Sequence, residues 1–468
     1  PKPEVDRTDL AAAYLRLEHA WFADPPTDPE QVAEANKTFD AATRAFFTGE
    51  FSDAVRAING ITASLADDEP TAAERLAASL ATTCEPPVLV LANAAPVTVR
   101  VRSLYPVDTS DAGTTALSLR LRDATGRVAL ELPLAVDAAD GDLVDVQIEL
   151  PASVADVAPA VYSIELAASD APAAPAGRLV VVPRSLDARA AEFADRRDDA
   201  AGDSAEVAHA KAICRARAGL LSDHPSPERS AQFLGDPLAL TDALEAEVAA
   251  IEAGRNPYRR QAGDHWRIVE PTAPDGDDEI PLRVYAPEAA TGDAPVPLVV
   301  ALHGAGGDEN MFLEAYGVGI IKRLADEHGF LVASPSTYVF GRGEEPLDRL
   351  LASLAEDYAI DTSRIYVVGH SMGAGATIRL ATARPEQVTA ACSLAGSGRF
   401  RRVEETAPLL MIFAENDGII PAAAAMKGAQ AGIEQGLPIE SRMLDDFGHT
   451  LMVGTSLPDA IDWLLDHQ

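Results

Sequence analysis

Apolar residues recur at helical spacing through residues 8–83, with Leu10, Tyr14, Leu17 and Trp21 on one face. Asp24-Pro25-Pro26 ends that segment, and a second helix is expected to start near Pro29. Phe51–Leu65 and Thr71–Leu80 continue in the same style. At Cys84-Glu85-Pro86-Pro87 the period shortens. From Val88 to Pro183 the chain alternates in short runs: Val97–Val101, Ala116–Leu121, Val144–Leu150, Tyr162–Leu166 and Leu179–Val182. Turn clusters at Asp123–Gly126 and Ala139–Asp142 separate them. Short strands at this spacing predict an antiparallel β-sandwich. The immunoglobulin Cys…Trp…Cys pattern is missing, so likeness to that fold is one of architecture alone.

Residues 185–253 return to a helical pattern rich in Ala, Glu and Arg, and Gly254-Arg255-Asn256-Pro257 closes it. From about Arg259 strands and helices alternate. The predicted strands are His265–Glu270, Pro281–Tyr285, Leu298–Leu302, Phe330–Ser334, Arg364–Gly369, Val388–Leu394, Leu409–Phe413 and Glu440–Leu444. Helices are expected near 310–328, 346–358, 372–383, 421–434 and 457–466. Such alternation implies a mostly parallel sheet with helices on both faces. The expected organisation is a helical region over 1–84, the sandwich over 85–184, a helical connector over 185–258 and an α/β catalytic domain over 259–468.

Composition narrows the function classes. The 468 residues carry 73 acidic and 38 basic side chains, a net charge of −35. That field repels nucleic acid and anionic membrane surfaces. It fits a solvated acidic surface in an Ala- and Asp-rich, Lys-poor protein, and also adaptation to salt. No apolar run reaches the ~18–20 residues of a membrane helix. Pro1–Arg7 shows neither an initiator methionine nor a signal sequence. Cys84, Cys214 and Cys392 make no disulfide framework; a single Cys84–Cys214 bridge is the pairing considered. There is no CxxC, HExxH or His-rich tract, so no metal or other cofactor is expected. Asp275-Gly276-Asp277-Asp278 resembles a calcium loop, but Ala286 stands where the EF-hand needs Glu, so it reads as a polar turn.

Chemistry gathers around Gly369-His370-Ser371-Met372-Gly373. This GxSxG follows the apolar run Ile365–Val368 and opens a helix-prone stretch, the strand–turn–helix context that exposes a nucleophile. A serine hydroxyl is a poor nucleophile unless it is exposed beside a base. Flanking glycines let strand and helix pass closely. The Gly-rich loop His303-Gly304-Ala305-Gly306-Gly307 leaves the strand ending at Leu302. Its backbone amides suit an oxyanion, with Ala305 as first donor, Gly306 as its rival and Met372 as the second.

The base must lie downstream. His449, in Phe447-Gly448-His449-Thr450, follows the last predicted strand, whereas His467 is the penultimate residue. Asp417 follows the strand Leu409–Phe413 and is the preferred acid over Glu415, Asp445 and Asp446. The order Ser371, Asp417, His449 is that of α/β-hydrolases, in which the acid fixes the imidazole tautomer.

On these residues, together with Arg364–Val368, residues ~262–468 resemble an α/β-hydrolase serine esterase. The likeness is to the esterase and peptidase group that includes feruloyl esterases, polyhydroxybutyrate depolymerases and dienelactone hydrolases. It implies a metal-independent serine hydrolase and covers less than half the chain. Hormone-sensitive-lipase-like esterases carry HGGG and an acidic elbow residue, where this chain has HGAGG and His370. Dienelactone hydrolases carry Cys at the nucleophile position, where this chain has Ser371.

The expected substrate is a small-molecule or polymer-derived carboxylic ester. A serine peptidase, a polymer-targeted esterase with an N-terminal binding module and a non-catalytic binding protein are the alternatives. Candidate substrate-binding walls are Met311 and Phe312, Tyr338 to Phe340, and Ser397–Phe400, each at a strand's carboxyl end. The long Leu/Ala-faced stretch 185–253 is unlike a flexible tether, so residues 1–258 are expected to pack rather than to swing.

Overall fold

The computed structural model describes residues 3–66, 68–93, 95–107, 114–137, 143–168, 173–201, 204–270, 279–340, 343–400 and 405–467. The Asp275–Asp278 loop and the Ala139–Asp142 turn lie outside them. The chain divides into two compact units that interleave along the sequence. One comprises 1–14, 45–201 and 217–253; the other comprises 15–44, 202–216 and 254–468. The units therefore do not follow the consecutive stretches into which the pattern divides the chain.

The second unit is built on an eight-stranded mixed sheet. Its strands are β1 (Gly263–Val269), β2 (Ile280–Ala286), β3 (Val296–Leu302), β4 (Leu331–Pro335), β5 (Ile360–His370), β6 (Ala390–Leu394), β7 (Leu409–Ala414) and β8 (Ile439–Leu444). Their spatial order is β1-β2-β4-β3-β5-β6-β7-β8. β1 pairs with β2, and β2 with β4, antiparallel. All other pairings, from β4–β3 to β7–β8, are parallel. This is the α/β-hydrolase arrangement. Every residue of β3, β4, β6 and β7 is buried, which is why they read as continuous apolar runs. β8, at the sheet edge, exposes Glu440 and Ser441. The direction of chain progression reverses around β3, so the carboxyl ends of β3 and β5 flank a topological switch point.

Helices Glu345–Ala355, Met372–Ala383 and Ala422–Ile433 lie where the periodicity predicts them. Two do not. The helix predicted over 310–328 breaks into a π-turn at Met311–Ala315, a 3₁₀ turn at Tyr316–Gly319 and an α-helix at Ile320–His328. The cause is three successive left-handed residues, Gly317 (φ 63°), Val318 (φ 56°) and Gly319 (φ 67°). The last helix starts at Met452 and contains Pro458, although proline disfavours helix interiors.

The first unit contains two sheets. Leu80–Glu85, Thr98–Ser103 and Asp145–Glu149 form an antiparallel sheet of three strands. Val88–Val90, Ala174–Val182, Ala160–Ala168, Thr114–Arg122 and Val128–Asp137 form a sheet of five. Its pairings are antiparallel, except that Val88–Val90 runs parallel to Ala174–Val182, which corrects the all-antiparallel expectation. Val99 and Val101 from the smaller sheet share one hydrophobic cluster with Leu119, Leu121 and Ile164 from the larger. The pattern reading missed Val128–Asp137, which contains Pro133. It is an edge strand, where a residue without an N–H is tolerated. Cys84, Cys214 and Cys392 are all buried free thiols.

Candidate active site

The sheet brings the predicted chemical residues to one edge. Ser371 occupies the sharp turn between β5 and the helix Met372–Ala383, with φ 54° and ψ −110°. This is a conformation that L-residues adopt only when the surroundings enforce it. Here those surroundings are close approaches by glycines. A Cβ on Gly373 would fall inside the Leu302 carbonyl, and one on Gly369 inside Gly373 and Thr377. The Ser371 amide donates to the Leu394 carbonyl at 3.0 Å, anchoring the turn to β6.

His449 Nε2 lies 2.8 Å from Ser371 Oγ, and His449 Nδ1 lies 2.8 Å from Asp417 Oδ2. Because a carboxylate only accepts, Nδ1 carries the proton and Nε2 is left to accept from the serine. Asp417 Oδ1 accepts the amides of Ile419 (2.8 Å) and Ile420 (2.7 Å), which fixes the carboxylate plane. His449 is 2% exposed and Asp417 8%. The alternatives point elsewhere: Glu415 accepts the Asp446 amide, and His467 donates from Nδ1 to the Trp463 carbonyl.

The tautomers of the neighbouring histidines are set by their partners. His370 Nε2 donates to the His449 carbonyl at 2.9 Å, and its Nδ1 accepts from the Tyr316 hydroxyl at 2.8 Å. Burial drives the His370 pKa well below its usual value, and a proton on either neighbouring imidazole, His449 or His303, would push it lower still. His303 Nε2 accepts the Thr337 amide at 3.0 Å, so its Nδ1–H donates to the Gly304 carbonyl at 2.8 Å.

In the loop after β3, the Gly304 amide donates to Tyr316 Oη at 3.5 Å and the Gly306 amide to Tyr338 Oη at 2.8 Å. The Gly307 amide closes a turn on the Gly304 carbonyl at 3.2 Å. Among the described residues, the amides of Ala305 and Met372 have no such partner. Ala305 is exposed and Met372 half-buried.

The wall residues separate. Tyr338 is 47% exposed beside the loop, and Met311 is half-buried under Gly307. Phe312 and Phe340 are fully buried, and Phe400 nearly so. Phe312 packs edge-on to Tyr316, and Phe340 and Phe400 belong to the main hydrophobic cluster. Position after a strand suggested a wall, but burial of these three rings makes them core.

Sequence reasoning missed a set of residues upstream. Asp40 accepts the amides of Gly418 (2.7 Å) and His449 (3.0 Å), and Asn36 accepts the Gly448 amide at 2.7 Å. Glu18 accepts the Gly317 amide at 3.1 Å. The available signal was Asn36 and Asp40 four residues apart on the apolar face of Val32, Ala35 and Phe39. Among the described residues no group of three or more His, Cys, Asp or Glu is placed to hold a metal ion. Nor is any helix long and apolar enough to cross a membrane.

Residues 340–455 match the model of the Dienelactone hydrolase family, a stretch shorter than half the chain. No curated protein matches the sequence. Similar solved structures include an S-formylglutathione hydrolase from Agrobacterium tumefaciens, at 19% identity and a TM-score of 0.37, covering 44% of this chain and 96% of that one. A thermostable esterase, at 16% identity and a TM-score of 0.40, covers 83% of this chain and 99% of that one. An acetyl xylan esterase from Aspergillus awamori, at 15% identity and a TM-score of 0.32, covers 40% and 93%. At these values the likenesses assign no role to any residue. The region around Ser371, Asp417 and His449 is thus similar in sequence to the dienelactone hydrolase family and lies on an α/β-hydrolase sheet.

Proposed function

We propose that the protein is a serine hydrolase that cleaves carboxylic esters, a carboxylesterase-type enzyme. The observation that carries this reading is the continuous chain Ser371 Oγ to His449 to Asp417, with both links at 2.8 Å, starting from a strained, partly accessible serine. Ser371 Oγ attacks the ester carbonyl carbon as its proton passes to His449 Nε2. The carbonyl π electrons move to oxygen, and the amides of Ala305 and Met372 receive the resulting charge. The engagement of the Gly304 and Gly306 amides by two tyrosine hydroxyls favours Ala305 over Gly306 as the loop's donor. Each such donor is worth ~2.7–4 kcal/mol in a dry, preorganised site. Collapse of the tetrahedral intermediate breaks the acyl–oxygen bond, and His449 returns its proton to the departing alcohol. Water, deprotonated by His449, then attacks the acyl-enzyme; the bond from the acyl carbon to Ser371 Oγ breaks, His449 returns the proton to Oγ, and the acid is freed. Asp417 holds the imidazole in the required tautomer and stabilises the imidazolium.

Tyr338 and Met311 remain the candidate acyl or alcohol contacts, being the wall residues that are not sealed in the core. The two sheets of the first unit, with their shared cluster, are read as a β-sandwich accompanying the hydrolase. The test is hydrolysis of p-nitrophenyl acetate, butyrate and octanoate by wild type and Ser371→Ala side by side. Serine-dependent turnover is the expected result. Equal rates from both proteins contradict the reading.

A further inference from the structure

Asp40 lies far from every motif that points to Ser371, yet both its carboxylate oxygens are committed beside that site. Oδ2 accepts the Gly418 amide at 2.7 Å and Oδ1 accepts the His449 amide at 3.0 Å. Gly418 follows Asp417, so one side chain ties the acid's loop to the base itself. One turn earlier on the same helix, Pro29–Thr48, Asn36 Oδ1 accepts the Gly448 amide at 2.7 Å while its own amide donates to the Val32 carbonyl at 2.9 Å. One turn later, Arg44 donates to the Gly418 carbonyl at 3.1 Å.

The approach depends on two absent side chains. A Cβ on Gly448 would come within 3.0 Å of Asp40 Oδ2 and 3.1 Å of the Asn36 carbonyl. One on Gly418 would come within 2.7 Å of the Arg44 guanidinium. Neither glycine has a positive φ, so close packing rather than turn geometry accounts for both. Asp40 is 2% exposed and Asn36 1%. An apolar residue would serve helix packing at lower cost than a buried carboxylate. Burial pushes the Asp40 carboxyl above its usual range and Asp417 adds to this, against the pull of the Gly418 and His449 amides.

We propose that Asp40 is a positioning residue for ester hydrolysis: it locks the Asp417 loop to the His449 loop and sets a second anion behind the imidazole. This rests on the Ser371–His449–Asp417 reading above. Among the described residues, the charged or titratable groups around His449 are Asp417 from the loop after β7, His370 from the turn after β5, and Asp40 from the upstream helix, with Arg44 beside Gly418. His370 stays neutral. Loss of the Asp40 charge therefore leaves Asp417 as the remaining anion against the imidazolium.

The test uses the full chain with Asp40→Asn and Asp40→Glu. In Asp40→Asn an NH₂ group faces one of the two amides. Its kcat for p-nitrophenyl butyrate, normalised to titrated active sites, falls about 10- to 100-fold with KM little changed. The His449 imidazole pKa, followed by NMR, falls by about half a unit because the imidazolium has lost a neighbouring anion. Asp40→Glu brings that pKa back towards wild type. Wild-type kcat and an unmoved His449 pKa in a folded Asp40→Asn protein overturn the proposal. If wild type itself shows no serine-dependent turnover, the hydrolase reading fails, and the NMR titration still judges the positioning role. If Asp40→Asn does not fold, Gly448→Ala, which presses a methyl against Asp40, takes its place. A lowered kcat at constant KM is expected there, and an unchanged kcat overturns the proposal.

Discussion

The proposed nucleophile turn stands at the end of β5 and the proposed acid and base loops follow β7 and β8 of the same sheet, but they are held in different ways. Ser371 is held mainly by its own sequence neighbourhood. Gly369 and Gly373 give the room, and the helix Met372–Ala383 and β5 give the rails. His449 and Asp417 sit on loops whose amides are gripped by Asn36 and Asp40, more than 370 residues earlier in the chain. The Asn416 amide also donates to the Phe447 carbonyl at 2.8 Å, so the two loops are joined to each other as well as to the helix. A nucleophile needs strain at one residue, which a local motif can encode. A base and its orienting acid need two separate loops in register, which calls for a third element spanning both.

If that distinction holds, perturbations should grade accordingly. The largest effect comes from the locally encoded group. Ser371→Ala lowers kcat about 10⁴- to 10⁶-fold with an unchanged melting temperature, read by burst-free ester kinetics and calorimetry. Next is the other long-range tie in the same unit. Arg267 and Asp357 form an ion pair with fully buried side chains, and His209 (3.2 Å) and Asn256 (2.8 Å) add bonds to the Asp357 carboxylate. Asp357→Ala strands a buried guanidinium and should cost about 3–5 kcal/mol in denaturant unfolding, with kcat of the folded fraction kept.

That tie also carries a pH signature. Burial pushes the Asp357 carboxyl up, but the His209 bond and the Arg267 charge prevail and hold it below 3.8. A depressed folded pKa contributes stability that is complete above the unfolded value and is lost as pH falls through the folded one. Wild type should therefore lose stability below about pH 4, and Asp357→Asn should show a shallower loss there. The smallest effect is expected from Tyr316→Phe. It removes one hydroxyl from His370 and the Gly304 amide, and should cost kcat a few-fold, about 1 kcal/mol. A loss as large as that of Asp40→Asn would mean that the nucleophile turn, too, depends on distant support.

The same division explains what the sequence made legible. The eight strands of the second unit and the GxSxG turn are readable because each depends on residues adjacent in the chain, and His449 and Asp417 stand out as candidates because each follows a readable strand, although what holds their loops does not show. Breaks in the pattern came from residues acting against their usual preference. Val318 adopts a left-handed conformation, Pro458 lies inside a helix, and Pro133 lies in a strand that only its edge position permits. Phe312, Phe340 and Phe400 looked like walls because strand ends are where ligands bind, whereas their burial depends on packing that no local pattern records. Asp40 and Asn36 were hidden for a related reason. Two polar residues on an apolar helical face show that something is bonded there, but not that the partners are the Gly418, Gly448 and His449 amides.

The central claim is that Ser371, driven by His449, is the nucleophile of an ester-cleaving reaction. Treating the intact protein with an alkyl fluorophosphonate and mapping the adduct by peptide mass spectrometry tests it most directly. The account predicts one stoichiometric adduct on Ser371, formed far more slowly in His449→Ala and absent in Ser371→Ala. An unlabelled wild-type protein, or an adduct on another residue that survives Ser371→Ala, would contradict it.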